Sequence, residues 1–171
     1  MSYLAPERLA RHHGVSDFVC SSEEQTTWLR DYARQADATG TSKVFVVTDQ
    51  SASAVVAYYA WCMSSVRIEQ APARLTKGAG SYPQPVALLT RLGVDIRHER
   101  QGLGAALMKD MFHRLVELSS VIGCRGLLVH CETTAARGFY LHLIPEFMPS
   151  PTDELHLYLL MKDIRKALEG G

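Results

Sequence analysis

The sequence predicts a single α/β domain, and two observations lead to this class. Short runs of β-branched and aliphatic residues alternate with amphipathic helical segments along the chain. One of these runs, 86–94, leads through a glycine turn straight into a helix. The length of 171 residues and the hydrophobic content of 47% suit one compact core. We therefore expect one domain over residues 1–171.

The first third of the chain predicts one helix followed by a hairpin. Residues 22–25 have the form of a capping box, which marks a helix start, and Gly40 marks the end of that helix. The apolar stripe of this helix would consist of Trp28, Leu29, Tyr32, Ala33 and Ala36. The β-rich runs 44–47 and 54–61 are separated by a polar stretch, so we expect them to pair antiparallel.

The rest of the chain predicts two more buried strands and two more helices. A central helix would begin at Leu103 and end before a glycine cap at Gly123, with a core face formed by Leu103, Leu107, Met111, Leu115 and Leu118. A buried strand over 126–131, a helix over 134–143 and a strand over 155–160 would close the chain. Residues 70–85 show no regular pattern and are expected to form a functional loop.

Composition sets limits on partners and location. Eighteen Lys and Arg balance eighteen Asp and Glu, which weighs against nucleic-acid binding unless the cations gather on one face. We find no apolar run long enough for a membrane span and no signal segment, so we expect a cytoplasmic protein. The four cysteines are scattered and the seven histidines lack ligand spacing, so we expect free thiols and no metal. His130 and Glu132 would share a strand face and are expected to form a structural pair.

The segment 101–108 is the strongest functional signal. Gly102 and Gly104 allow a tight turn at the start of a helix, where the first backbone N–H groups have no internal partner and can bind an anion. No P-loop pattern is present, and Leu107 stands where a dinucleotide fingerprint needs glycine or alanine. A phosphate-bearing ligand of another kind is therefore expected.

The run Glu99-Arg100-Gln101-Gly102-Leu103-Gly104 resembles motif A of the GNAT N-acetyltransferases, Gln/Arg-x-x-Gly-x-Gly/Ala. The resemblance implies a mixed, mostly antiparallel central sheet with helices on both faces and a V-shaped splay between the two central strands. It also implies that acetyl-coenzyme A binds at the loop and the preceding strand. The cofactor-binding residues would be Leu92, Gly93, Val94, Arg97, Glu99, Arg100, Gln101, Gly102, Leu103, Gly104, Ala105, Ala106, Phe139 and Tyr140.

Glu99 departs from the motif, because a carboxylate beside a pyrophosphate is unfavourable. Arg97 and Arg100 could offset its charge, and a weakened affinity is expected. In the family a Phe-Tyr pair packs on the coenzyme with the tyrosine near its sulfur, which places Phe139 and Tyr140 there. A phenol can donate a proton to a departing thiolate, so Tyr140 is the predicted general acid.

Further segments resemble the toxin branch of this family, found in bacterial toxin–antitoxin pairs; they include Arg91-Leu92-Gly93-Val94-Asp95 and Leu127-Leu128-Val129-His130. The resemblance implies acetylation of the α-amino group of aminoacyl-tRNA, which blocks translation. It also implies neutralisation by a ribbon-helix-helix antitoxin, operator DNA binding through that complex, and a homodimer. The cations expected to contact tRNA are Arg30, Arg34, Arg74, Lys77 and Arg91.

Two alternatives stay open on the sequence. One is an acetyltransferase for a small amine or a protein N-terminus, and the other is a non-catalytic corepressor that mainly binds an antitoxin. The segment after Tyr140 is two residues longer than the family spacing and lacks its glycine, which bears on acceptor specificity. Pro145 in that segment would end the preceding helix near Leu143.

Overall fold

Seven strands and six α-helices make up the computed structural model, which describes residues 2–170. The strands are β1 (Glu7–Arg8), β2 (Lys43–Thr48), β3 (Val55–Val66), β4 (Gln84–Val94), β5 (Gly126–His130), β6 (Met148–Pro149) and β7 (His156–Leu160). The helices are α1 (Glu23–Thr27), α2 (Ala33–Thr39), α3 (Ala73–Thr76), α4 (Leu103–Ser119), α5 (Thr134–Leu143) and α6 (Met161–Glu169). A π-helical turn, Trp28–Tyr32, joins α1 to α2.

The chain forms two compact units, and β3, β4 and α4 each contribute to both. The first unit comprises the residues up to Cys62 and Thr90–Asp110, and the second comprises Met63–Leu89 and the residues from Met111 onward. The predicted α/β class and the mixed, mostly antiparallel sheet are confirmed. The expectation of a single domain stays a prediction.

The first unit is built on the antiparallel ladder β1-β2-β3. The predicted hairpin is confirmed, and β3 runs on to Val66, beyond its predicted end. Phe45 and Tyr59 stack across the ladder with ring centroids 5.2 Å apart. The helical segment packs its buried Leu29 and Ala33 onto this sheet among a cluster that also holds Phe18 and Tyr58. The cross-strand pair of Phe45 and Tyr59 stabilises the ladder.

The capping prediction for the first helix is confirmed, since the Ser22 hydroxyl accepts a hydrogen bond from the Gln25 N–H and Gly40 ends α2 with φ 82°. The prediction that Tyr32 belongs to the core stripe is wrong, because its side chain is 57% exposed. The backbone N–H of Ala33 bonds to the carbonyl of Trp28, five residues back. This wider turn changes the direction in which the following side chains point.

The second unit contains the parallel pair β4–β5 and the antiparallel pairs β5–β7 and β7–β6. The predicted strands and helix over this region are confirmed, and α5 spans Thr134–Leu143 as expected. A methyl group on Gly126 would overlap the carbonyl oxygen of Leu159 on β7, so the close approach of these strands requires glycine. Helix α6 was not predicted, because it follows β7 directly without any turn residue.

Two further predictions about this part of the chain are corrected. Gly123 does not cap the central helix: α4 ends at Ser119, and Gly123 lacks the left-handed φ of a glycine cap. The segment 70–85 is not wholly irregular, because it holds α3, whose Leu75 is fully buried. The Leu75 carbonyl accepts a hydrogen bond of 2.7 Å from the Arg125 guanidinium.

Pairing between the two parallel strands is short. Residues Ala87–Leu89 of β4 pair with Leu127–Val129 of β5, after which β4 continues to Val94 while β5 ends at His130. The last five residues of β4 therefore extend beyond this pairing, in agreement with the expected splay. None of the helices within residues 2–170 is both long and apolar enough to cross a membrane.

Candidate active site

The connection between β4 and α4 has the backbone of an anion-binding loop. A short 3₁₀ turn, Ile96–His98, leads into it, and Arg100 has φ 61° and Gly102 has φ 78°. Arg100 is the one residue other than glycine with positive φ in the described chain, 2–170. Strained backbone of this kind is concentrated at functional sites. Residues that alternate between positive and negative φ direct their successive N–H groups toward one point, where an anion can bind.

The first turn of α4 provides the donors. The first hydrogen bond of the helix runs from the Ala106 N–H to the Gly102 carbonyl at 3.0 Å. The N–H groups of Leu103, Gly104 and Ala105 therefore have no acceptor within the helix. Gly104 and Ala105 lie at the surface, so a phosphate can reach them, and the helix dipole favours its negative charge.

The Arg97 guanidinium engages a carboxylate within the fold. Its Nε and Nη2 donate hydrogen bonds of 2.9 Å to the two carboxylate oxygens of Asp95, which is fully buried. Burial alone would raise the pKa of Asp95, but the hydrogen bonds from Arg97 and from the Val19 N–H lower it to about 2. Because Arg97 is engaged by Asp95, the prediction that it offsets the negative charge of Glu99 is weakened. Arg100 is the cation within the loop itself.

At the end of β4, Gly93 is packed inside the fold, and the backbone of its two neighbours is available to a ligand. A methyl group on Gly93 would lie 3.1 Å from Tyr58 and 3.3 Å from Cys20 and Phe18, so this glycine is needed for packing. Leu92 and Val94 are partly exposed on either side of it. Their N–H and C=O groups can bind an extended arm or a carbonyl oxygen as a neighbouring strand would.

Tyr140 lies on α5, in the second unit, and its ring is almost fully buried. It packs edge to face against Phe139 and Phe147, with centroids 5.2 Å and 6.1 Å away. Burial, and then the charge of Cys131, raises the pKa of Tyr140 well above its ordinary value. The phenol is therefore protonated throughout the neutral range. Residues 2–170 give its hydroxyl no hydrogen-bond partner, which leaves the proton for a bound ligand.

The five cations predicted to contact tRNA fall in both units. In the first unit Arg30 is exposed, whereas Arg34 donates to the backbone carbonyls of Ala10 and His13. Arg91 pairs with Glu24 at 2.8 Å. In the second unit Arg74 lies 3.4 Å from the buried carboxylate of Asp163, and Lys77 is exposed. Arg34 is thus committed to holding the N-terminal segment, which weakens its case as a tRNA contact.

A surface cleft of about 450 Å³ in the first unit was not foreseen. Its walls come from the first helical segment and from β4: Glu23, Glu24, Thr27, Trp28, Tyr32 and Arg91. The sequence carries no clear signal for it, because the cleft depends on the π turn that exposes Tyr32.

The described chain contains one cluster of potential metal ligands, Glu7, His12 and His13. Nδ1 of His13 accepts a hydrogen bond of 2.8 Å from the Ala10 N–H, so the proton of the neutral ring is on Nε2. That proton points at Glu7, 2.7 Å away. The lone pair that a metal would need on Nε2 is therefore not available. The prediction that His130 and Glu132 share a strand face is wrong, because β5 ends at His130. The His130 ring stacks on His156 with centroids 3.9 Å apart.

Comparison with known proteins agrees with this geometry. Residues 19–143 match the model of the acetyltransferase (GNAT) family. The chain is 39% identical to a tRNA-acetylating toxin of Mycobacterium tuberculosis over 163 residues, covering 95% of each chain. It is 24% identical to a probable toxin TacT of Sinorhizobium fredii, covering 91% of this chain and 90% of that one.

Solved structures share the fold. A tyrosine-to-phenylalanine mutant of KacT superposes with a TM-score of 0.87 at 20% identity, covering 97% of this chain and 99% of that chain. AtaT complexed with acetyl-methionyl-tRNA superposes with a TM-score of 0.87 at 22% identity, covering 96% and 98%. At these identities the superpositions establish the fold alone.

Proposed function

Because the chain belongs to the acetyltransferase (GNAT) family, we propose that it transfers an acetyl group from acetyl-coenzyme A to the α-amino group of an aminoacyl-tRNA and so blocks translation. The observation that carries the proposal is the 39% identity, over 95% of both chains, to a tRNA-acetylating toxin. Acetylation removes the amine that would attack the next peptidyl ester, so the modified tRNA no longer serves elongation.

The cofactor lies along the end of β4 and the first turn of α4. The free N–H groups of Leu103, Gly104 and Ala105 bind the pyrophosphate, and the Gly102 conformation aims them. The backbone of Leu92 and Val94 holds the pantetheine arm and polarises the thioester oxygen. The remaining contacts are the predicted ones: Gly93, Arg97, Glu99, Arg100, Gln101, Ala106, Phe139 and Tyr140.

Chemistry at this site needs little help from a base. The amine of an aminoacyl ester is less basic than that of lysine, so a substantial fraction is neutral near pH 7 and attacks the thioester carbonyl directly. The C–N bond forms, the C–S bond breaks, and the ammonium proton passes to solvent. The Tyr140 hydroxyl donates to the departing sulfur, which becomes the thiol of coenzyme A, and solvent returns a proton to the tyrosinate.

Two solved complexes support a proposal about partners. AtaT has been solved with the C-terminus of the antitoxin AtaR and acetyl-coenzyme A, and KacTA has been solved with DNA. We extend this to a ribbon-helix-helix antitoxin that neutralises the present chain and joins it to operator DNA, and to a cytoplasmic homodimer. Of the predicted tRNA contacts we propose Arg30, Arg74, Lys77 and Arg91, and leave out Arg34 because it holds the N-terminal segment.

Label transfer tests the proposed reaction. Purified protein is incubated with labelled acetyl-coenzyme A and a pool of charged tRNAs, beside uncharged tRNA and a panel of small amines, with Tyr140→Phe as the comparison. We expect label on charged tRNA alone and a large loss of rate in the variant. Transfer to a small amine or peptide, with none to charged tRNA, would leave an ordinary acetyltransferase.

A further inference from the structure

The cleft between the first helical segment and β4 has the surface of a nucleoside site. It is an open surface cleft with a volume of about 450 Å³, within the range of small-ligand pockets, and all six of its lining residues belong to the first unit. Two of them, Trp28 and Tyr32, supply aromatic rings. The cleft therefore offers flat apolar surface in addition to polar side chains.

The two rings have different roles in the cleft. Trp28 is fixed, since it stacks on Tyr58 at 6.0 Å with only 8° between the planes and carries the Arg91 guanidinium 5.4 Å from its centre. Tyr32 is 57% exposed because the π turn points it out of the core. An exposed ring beside a fixed one is a stacking platform, and bases stack on tyrosine, tryptophan and arginine planes.

Charge decides which part of a nucleic acid fits. Glu24 and Arg91 pair at 2.8 Å and cancel, so Glu23 leaves the cleft with one net negative charge. A phosphate is repelled there. Carboxylates accept hydrogen bonds from the amino group of a base or from ribose hydroxyls. The cleft is therefore suited to a nucleoside and unsuited to a backbone phosphate.

Resting on the proposed function, we propose that this cleft holds the terminal adenosine of the charged tRNA. The aminoacyl ester is attached to the ribose of that adenosine, so the base must lie close to the amine that reacts. Arg91 directly precedes Leu92 on β4, and residues of a strand advance about 3.3 Å each. The cleft wall that contains Arg91 thus borders the segment of β4 assigned to the thioester. The adenosine brings the α-amino group to the acetyl group.

The test varies the acceptor and Tyr32 together. Kinetics are measured for charged tRNA, for a 3′-aminoacyl adenosine, and for the ethyl ester of the same amino acid, which lacks the nucleoside. Variants are Tyr32→Ala, Tyr32→Phe, which keeps the ring, and Val121→Ala as a control that truncates an exposed side chain elsewhere. Circular dichroism confirms that each variant is folded.

We expect Tyr32→Ala to raise KM for charged tRNA and for aminoacyl adenosine about tenfold, the size of one lost stacking contact. Rates with the ethyl ester should not change, and Tyr32→Phe and Val121→Ala should behave as wild type. An unchanged KM for charged tRNA in Tyr32→Ala would overturn the adenosine site alone. An equal loss with the ethyl ester would also overturn it and assign the cleft to the amino acid. Wild-type protein inactive on all charged tRNAs would instead overturn the proposed function, and the adenosine site with it.

Discussion

Arg97 holds the buried carboxylate of Asp95 with two side-chain hydrogen bonds of 2.9 Å, and its backbone N–H adds a third. The same carboxylate accepts from the Val19 N–H, and the Arg97 guanidinium also donates to the Asp17 carbonyl. This cluster joins the end of β4 to the segment before α1. The anion-binding loop begins directly after it, so the Asp95–Arg97 pair fixes the side of the loop nearest the strand.

Replacing Arg97 by methionine should destabilise the protein and shift its acid unfolding to higher pH. In the wild type the pKa of Asp95 is lowered to about 2, so its stabilising effect is present above about pH 4 and is lost as the pH falls toward 2. Without Arg97 the burial of Asp95 dominates and its pKa rises. Thermal unfolding midpoints measured from pH 2 to pH 7 check this.

The matched control is Arg67→Met, which removes an exposed pair with Glu69 and should change the midpoint little. Superimposable stability curves for Arg97→Met and the wild type would show that Asp95 finds another partner.

Gly102→Ala should weaken acetyl-coenzyme A binding. Nothing lies within 4 Å of the added methyl group, so the effect comes from φ 78°, which costs an alanine about 1–2 kcal/mol. The loop would relax and misdirect its N–H groups, and we expect Kd for the cofactor to rise about tenfold in calorimetric titration. Gly123→Ala, also in open space but without positive φ, should leave Kd unchanged. Equal affinity of both variants for acetyl-coenzyme A would argue against the anion-binding loop.

Glu99→Gln should tighten acetyl-coenzyme A binding several-fold. The substitution removes a negative charge beside the proposed pyrophosphate and keeps the shape of the side chain. The Kd values of the wild type and of Glu99→Gln should differ at low salt and converge at high salt, because salt screens the repulsion that Glu99 exerts in the wild type. Weaker binding of Glu99→Gln would mean that the carboxylate contributes a needed hydrogen bond.

Gly126→Ala should destabilise the second unit by about 2 kcal/mol or more, since the added methyl group overlaps the Leu159 carbonyl oxygen and β5 and β7 would have to separate. Urea unfolding measures the loss, with Gly123→Ala as the neutral comparison. A midpoint equal to that of the wild type would show that the strands have room that the structure denies them.

Most of the elements are predictable from the sequence because their signals are local. The capping serine, Gly40 and the alternating runs each specify their own segment, and the glycine loop marks the start of α4. Tyr32 was misplaced because a π turn leaves no pattern that differs from an α-helix. Helix α6 was missed because it begins without a separating turn.

For the site, sequence could identify residue types but not their partners. Arg97 and Arg34 read as free cations, yet one is bound to a buried carboxylate and the other to backbone carbonyls. Gly93 read as part of a cofactor strand, whereas packing against Tyr58 requires it. The aromatic cleft joins residues far apart in the chain, Trp28 and Arg91, and only the folded chain brings them together.

The most direct test of aminoacyl-tRNA acetylation is the mass of the amino acid released from tRNA after reaction with acetyl-coenzyme A. Charged tRNA is incubated with the protein, the ester is hydrolysed, and the amino acid is identified by mass spectrometry. We expect an N-acetyl amino acid, formed with wild type and strongly reduced with Tyr140→Phe. Unmodified amino acid from every charged tRNA, under conditions in which the protein acetylates another amine, would contradict it.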